Sequence, residues 1–203
     1  MTTSTGLTLA LDASTYRGSV AVLDGVTVRG AVTVAMRDAR AEQLMPGVRD
    51  ALEAAGAGVR DVERVVCGGG PGSFTSLRIA AGIAKGLALG LARPLYSVPS
   101  LLLVVAGAPV GEGRYLAVLD AMRGERFAAP VDVAEDGAVR LAGPLELLAE
   151  DAVAARADGE RRRRVGPAEE IAAFPAAAGV ARVLGQVLAA GPRPLDSWQP
   201  HYG

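Results

Sequence analysis

The chain has 203 residues, half of them hydrophobic, with 22 acidic residues against 21 Lys or Arg and a net charge of −1. That length supports one large domain or two small subdomains with a sizeable core, and the near-neutral balance argues against a strongly basic nucleic-acid grip. No uncharged apolar run reaches the roughly 18 residues that span a bilayer, no basic-then-apolar leader opens the sequence, and the single Cys67 cannot form an internal disulfide, so the expectation is a cytoplasmic protein with no membrane association.

Three apolar, β-branched runs at 7–11, 18–23 and 26–35 predict strands. Asp12-Ala13-Ser14-Thr15 and Asp24-Gly25 form the turns between them, the second a strong hairpin signal. A helix is predicted over 41–55, ended by Gly56 and Gly58, with Leu44, Met45, Val48 and Leu52 in one stripe. A strand at 63–67 leads into Gly68-Gly69-Gly70-Pro71-Gly72-Ser73 and a long Ala/Gly/Leu helix over 74–91, then a strand at 95–98 and a helix at 100–106. A second unit follows, with strands at 115–119, 126–133 and 139–141, helices at 144–150 and 176–190, and a Pro-rich tail. Residues 120–125 join its first two strands, and Asp136-Gly137 reads as an ordinary hairpin turn. This order is α/β with an antiparallel meander, divided at 1–106 and 107–203.

The glycine cluster lets the backbone turn sharply and approach another surface, and Ser73 or Thr75 is placed to cap the helix behind it. Walker A needs a Gly-Lys-Ser/Thr ending, which no register supplies, because Lys85, the only lysine, lies well into the helix. The dinucleotide fingerprint also fails, since Thr75 stands where its third glycine belongs. Ser73, Thr75 or Cys67 as a nucleophile would need an adjacent base, and the one histidine, His201, is remote in the tail. Cys67 reads as a buried, inert thiol and Ser73 as a cap. Arg161-Arg162-Arg163-Arg164 reads as a solvated turn before Val165-Gly166, with contact to a phosphate backbone as the alternative.

Gly70-Pro71-Gly72-Ser73-Phe74-Thr75-Ser76-Leu77-Arg78-Ile79 resembles the Gly-Pro-Gly-Ser-Phe-Thr-Gly-Leu-Arg-Ile signature of the TsaB (YeaZ) family, with Ser76 in place of glycine. Ala84-Lys85-Gly86-Leu87-Ala88 continues the match. Leu9-Ala10-Leu11-Asp12-Ala13-Ser14-Thr15 is similar to the family's opening strand and Asp-Thr-Ser-Thr turn. Glu42-Gln43-Leu44-Met45-Pro46 resembles its His-Ser-Glu-Arg-Leu-Leu-Pro helix start, with Arg40 at the histidine position. Asp120-Ala121-Met122-Arg123-Gly124-Glu125 is close to Asp-Ala-Arg-Arg-Gly-Glu, and Pro200-His201-Tyr202 resembles the tail's Pro-x-Tyr.

The resemblance implies an actin-like, ribonuclease-H-like (ASKHA) fold of two subdomains, each with a mixed sheet and packed helices. It further implies a non-catalytic subunit that binds and activates TsaD for threonylcarbamoyl transfer to the tRNA adenosine beside the anticodon. TsaE would join the assembly, tRNA would be reached through the complex, and the chain alone would form a homodimer. Carried over, the partner surface draws on Leu44, Met45, Val48, Leu52, Phe74, Leu77 and Arg78. Asp12, Ser14 and Thr15 stand where actin-like proteins approach phosphates, as a vestige of that hairpin or as a plain turn. Arg123-Gly124-Glu125 is an ordinary turn or a part of the cleft. No cofactor and no metal are expected, with ATP and magnesium as the disfavoured alternative. TsaD subunits hold a metal through two histidines on one helix, and a single histidine cannot do so. The rival readings are a nucleotide-dependent phosphotransferase on the Asp12 hairpin and a metallopeptidase-like hydrolase, the latter opposed by the lone His201.

Overall fold

The structure is a computed structural model and describes residues 6–37 and 41–202; Arg40 lies outside the described residues. Strands β1 (Leu7–Asp12), β2 (Arg17–Asp24) and β3 (Thr27–Ala35) form the antiparallel meander that the apolar, β-branched runs predict. The chain then crosses through α1 (Leu44–Ala54) to β4 (Val62–Gly68), and through α2 (Phe74–Leu91) to β5 (Leu95–Val98). Both crossovers add parallel strands, which gives the order β3-β2-β1-β4-β5. Helix α3 (Ser100–Ala106) follows.

The second sheet repeats this plan. Strands β6 (Gly113–Met122), β7 (Glu125–Val133) and β8 (Val139–Leu141) are antiparallel. After β9 (Glu146–Ala149) and α4 (Ala152–Gly159), β10 (Arg163–Gly166) and β11 (Ile171–Ala172) add in parallel. The order β8-β7-β6-β10-β11 matches β3-β2-β1-β4-β5 strand for strand. Each sheet is ribonuclease-H-like, and the pair makes the actin-like fold.

Five layers result from which face each sheet buries. Leu9, Leu11, Val20, Val22, Val65 and Cys67 of the first sheet pack against Leu44 and Val48 of α1 and Ala80, Ala84 and Ala88 of α2. The opposite face, with Ala10, Ala21 and Val66, packs on α3, which also meets Ala117, Leu119, Ala129 and Val131 of the second sheet. All seven residues of α3 are buried, as a helix sandwiched between two sheets requires. The outer face of the second sheet is thinner, with Leu116, Val118 and Ala128 meeting Val153 and Ala157 of α4.

Two expectations differ from the structure. Residues 144–150 do not form a helix. Glu146–Ala149 pairs with β7 through Phe127↔Leu147 and its neighbours, and the helix starts later. A short apolar run has no decisive period, and β8 covers only Val131 to Val133 of β7, leaving an open edge for β9. Residues 176–190 form a 3-10 turn (Ala177–Arg182) and then α5 (Leu184–Ala189), interrupted at Val183. Gly179 is pressed against Gly107 and Ala106 of α3, so the segment follows that surface rather than one helical axis. The C-terminal segment also reaches the first sheet: Ser19 bonds to Pro175 and Ala177, and Arg193 bridges Leu95.

Helix α2 is long and apolar enough to cross a membrane by length and composition. It lies against the first sheet on one face, with Leu77, Ala80, Ala81, Ala84 and Ala88 buried, and leaves the opposite face open. The layer that joins the two sheets is the most sensitive to truncation. Leu103→Ala, in a side chain with no exposure, is expected to cost about 2–5 kcal/mol, read as a lower urea midpoint; a loss below 1 kcal/mol would contradict the layer assignment.

Candidate functional site

Asp12 ends β1 with no solvent exposure, and among the described residues three donors reach its carboxylate. Oδ1 accepts from the Ser14 amide (2.8 Å) and the Ser14 hydroxyl (2.7 Å), and Oδ2 accepts from the Ser100 hydroxyl (2.6 Å). Ser100 Oγ accepts in turn from the Gly70 amide at 3.0 Å, and the Ser100 amide donates to Gly70 O at 2.8 Å. Ser14 O takes the Ser73 amide at 2.8 Å. A Cβ at Gly68 would fall on the Asp12 carboxylate, and one at Gly72, where φ is +155°, on the Ser14 backbone. These two glycines therefore allow the loop to close over the hairpin.

The expectations for the loop and hairpin divide here. Ser14 and Thr15 are committed locally, Thr15 Oγ1 donating to Arg17 O at 3.0 Å and accepting the Arg17 amide at 3.1 Å. Ser73 occupies the cap position of α2, but its side chain makes no capping bond and meets Ser76 Oγ at 3.2 Å instead. Thr75 is exposed. Pro71 is buried and joined to Gly70 by a cis peptide bond. Burial raises the Asp12 carboxyl above its ordinary value, against the bonds from Ser100 and Ser14. Burial, and then the Asp12 charge, pushes the Cys67 thiol up as well, which leaves it the inert group that the sequence suggested.

The stripe on α1 points mainly inward. Leu44, Val48 and Leu52 are core, as is Leu77 of α2, so they do not belong to an outer surface of the folded chain. Helical spacing defines a face but not which face is covered. Met45 (43% exposed), Phe74 (53%) and Arg78 remain outside. Glu42 holds the start of α1, its carboxylate accepting from the Leu44 and Met45 amides. On α2, Phe74, Arg78, Gly82, Gly86 and Gly90 follow at i+4 spacing and all are exposed, with Leu89 (73%) beside them. A Cβ at Gly82, Gly86 or Gly90 would meet nothing within 4 Å.

The tail borders this row. Leu195 and Trp198 pack on the α1/α2 core, the Trp198 ring lies 5.8 Å from Lys85 Nζ, and the Tyr202 ring is 4.8 Å from that of Phe74. The His201 amide donates to Gly69 O at 2.8 Å, so the tail also fastens the glycine loop. Arg78, over the Phe74 ring at 5.2 Å, and Lys85 line a groove with Trp198 and Tyr202. Sequence reasoning missed Ser100 and this tail contact. The lone Trp198 in a Pro-rich segment is the one signal that could have drawn attention to it.

In the second unit Asp120 lies two residues before the end of the strand equivalent to β1, but unlike Asp12 it is exposed. It accepts from the Met122 amide and pairs with Arg126 at 2.8 Å. Arg123 and Gly124, both at positive φ, make the two-residue turn between β6 and β7. The four arginines separate: Arg162 is buried, Arg163 pairs with Glu170 and Arg164 with Glu169, and Arg161 is exposed.

Residues 29–185 match the family model described as TsaD: tRNA N6-adenosine threonylcarbamoyltransferase. The tRNA threonylcarbamoyladenosine biosynthesis protein TsaB of Escherichia coli is 37% identical over 131 residues, 64% of this chain and 56% of that protein. TsaB of Bacillus subtilis is 31% identical over 150 residues, 70% of this chain and 66% of that protein. The chain thus spans little more than half to two thirds of the length of these relatives. The structure of YeaZ from Pseudomonas aeruginosa superposes with a TM-score of 0.83 and 30% identity, covering 98% of this chain and all of that one.

Two outcomes follow from the buried cluster. A carboxyl raised in the folded state gives its full contribution below the unfolded value of about 4, and that contribution is lost as pH rises through the folded value. The stability of the native chain relative to Asp12→Asn should therefore fall as pH rises above about 4 in urea titrations; parallel curves would refute the burial argument. Cys67 in the folded chain should resist alkylation by iodoacetamide at pH 8 and react fully in 6 M guanidinium, whereas rapid native labelling would place it at the surface.

Proposed function

The chain belongs to the TsaB (YeaZ) family, and we propose that it is a non-catalytic docking subunit in threonylcarbamoyladenosine biosynthesis on tRNA. In this reading it binds a TsaD-type threonylcarbamoyltransferase in the cytoplasm through the outer faces of α1 and α2, and stabilises that enzyme's active arrangement. TsaE joins the assembly, tRNA is reached through it, and without TsaD the same face pairs two copies of the chain. No cofactor is required of this subunit.

The observation that carries the reading is the outward row of α2. Exposed glycine inside a helix costs about 1 kcal/mol relative to alanine, and a Cβ at Gly82, Gly86 or Gly90 would meet nothing within 4 Å, so packing among the described residues does not require glycine there. An i+4 row of small residues flanked by Phe74 and Leu89 suits the close approach of another helix, and Met45 extends the apolar area onto α1. The committed state of Asp12 and Ser14 supports a subunit without its own phosphate chemistry, because the donors that would ring a phosphate are taken. The single histidine and the inert Cys67 support it too.

Two kinds of variant separate docking from folding. Met45→Asp and Phe74→Asp should abolish pairing in sedimentation with the circular dichroism spectrum unchanged, whereas Leu44→Asp should unfold the chain. Gly82→Ala with Gly86→Ala should stabilise the isolated chain by about 2 kcal/mol while weakening pairing at least tenfold. A double variant that is more stable and pairs as well as the native chain would remove α2 from the interface.

A further inference from the structure

The arginine run at the end of α4 lies over the outer face of the second sheet, where β6, β7 and β8 set Arg114, Asp132 and Arg140 side by side. A cavity of about 660 Å³ opens there, lined by Arg114, Arg156, Arg161 and Arg162 against the single acid Glu160. Asp132 and Glu146 approach the same arginines from its edge, so the positive surplus comes from the rim.

The four arginines divide into two kinds. Arg162 has a side chain only 5% exposed and bonds Asp132 at 2.6 Å, Glu160 at 2.7 Å and the carbonyls of Tyr115 and Val131. Arg156 bonds Glu146 at 2.9 Å and pairs with Glu160. Hydrogen bonds from Arg156 hold the Glu146 carboxyl below its ordinary range, and bonds from Arg156 and then Arg162 do the same for Glu160, so both acids stay charged. Arg156 and Arg162 are thus neutralised, and they fix the wall of the cavity.

Arg114 and Arg161 are exposed and have no side-chain hydrogen bond or ion pair among the described residues. Arg161 is moreover held at φ +54°, a left-handed conformation costing a non-glycine residue about 1–2 kcal/mol. The backbone turn that imposes this strain, with the Arg161 amide on Asp158 O and the Arg162 amide on Ala157 O, brings Arg161 to the rim of the cavity and Arg162 inside it.

We propose that this cavity is a contact site for the phosphodiester backbone of RNA, gripped by the free guanidinium groups of Arg114 and Arg161. Planar guanidinium forks match phosphate oxygens in pairs, and the open, arginine-rimmed cavity is larger than one phosphate needs. The choice of RNA rests on the docking function proposed above, which places the chain beside a tRNA. The site lies on the second sheet, away from α1 and α2, so partner and RNA are held by different faces.

The test uses the full chain and a fluorescent RNA stem-loop of anticodon-arm length, with anisotropy read from 50 to 300 mM KCl. Arg114→Ala with Arg161→Ala should weaken binding at least tenfold at low salt and reduce the salt slope by about two. Arg29→Ala with Arg60→Ala, which removes the same charge from the first unit, should change affinity less than twofold. Pairing through α2 should be native in both. No RNA binding by the native chain, equal losses in the two double variants, or an unchanged salt slope would overturn the proposal. So would inorganic triphosphate binding as tightly as the stem-loop, which would assign the cavity to a small phosphorylated molecule. If pairing stays native while RNA affinity is unaffected by the first variant, this inference falls and the docking reading stands.

Discussion

The Asp12 carboxylate is the constraint from which the rest of the first unit is organised. A carboxylate removed from water is costly unless hydrogen bonds replace its hydration, and here the replacements come from its own turn and from Ser100 at the head of α3. That requirement draws the glycine loop in, because Ser100 is itself anchored to both backbone groups of Gly70. Once Gly70 and Gly72 are fixed, the start of α2 is fixed, and the tail closes over the loop through His201. Strand β1, helix α3, the loop and the tail are thus tied at one buried point, and the outward row of α2 is presented on a rigid base.

The duplicated strand order shows how one plan is used twice with different outcomes. In the first unit the end of β1 is buried under a glycine loop that leads into the 18-residue helix α2. In the second, the strand equivalent to β4 is followed by a short turn, and Asp120 stays exposed with Arg126 and Met122 as partners. Without a counterpart of α2, the outer face of the second sheet is covered by α4 alone, and an arginine-lined cavity is left where that helix ends. The two units therefore offer chemically different surfaces, one apolar with glycines and one cationic.

Much of the fold was legible in the residues because local chemistry and tertiary packing agree. The Asp24-Gly25 turn, the β-branched first strands, and the glycine cluster before a long helix each specify one local conformation. Where packing decided, reading failed. Residues 146–149 form a strand because β7 has an open edge, and a four-residue apolar run carries no trace of that. The break at Val183 follows the contact of Gly179 with α3. The same limit applies to the site. The helical periodicity of Leu44, Val48 and Leu52 was evident, but only the position of α1 on the sheet shows that these residues serve the core while Met45 does not. Ser100 was unremarkable in the sequence because its role depends on a bond spanning 88 residues.

The central claim is that the outer face of α1 and α2 exists to meet another protein. It is tested most directly by light scattering during size-exclusion chromatography, with the chain alone and mixed with the TsaD-type transferase of the same source. The account predicts a dimer of the chain alone that converts to a one-to-one complex when the transferase is added. A chain that remains monomeric in both runs would contradict it.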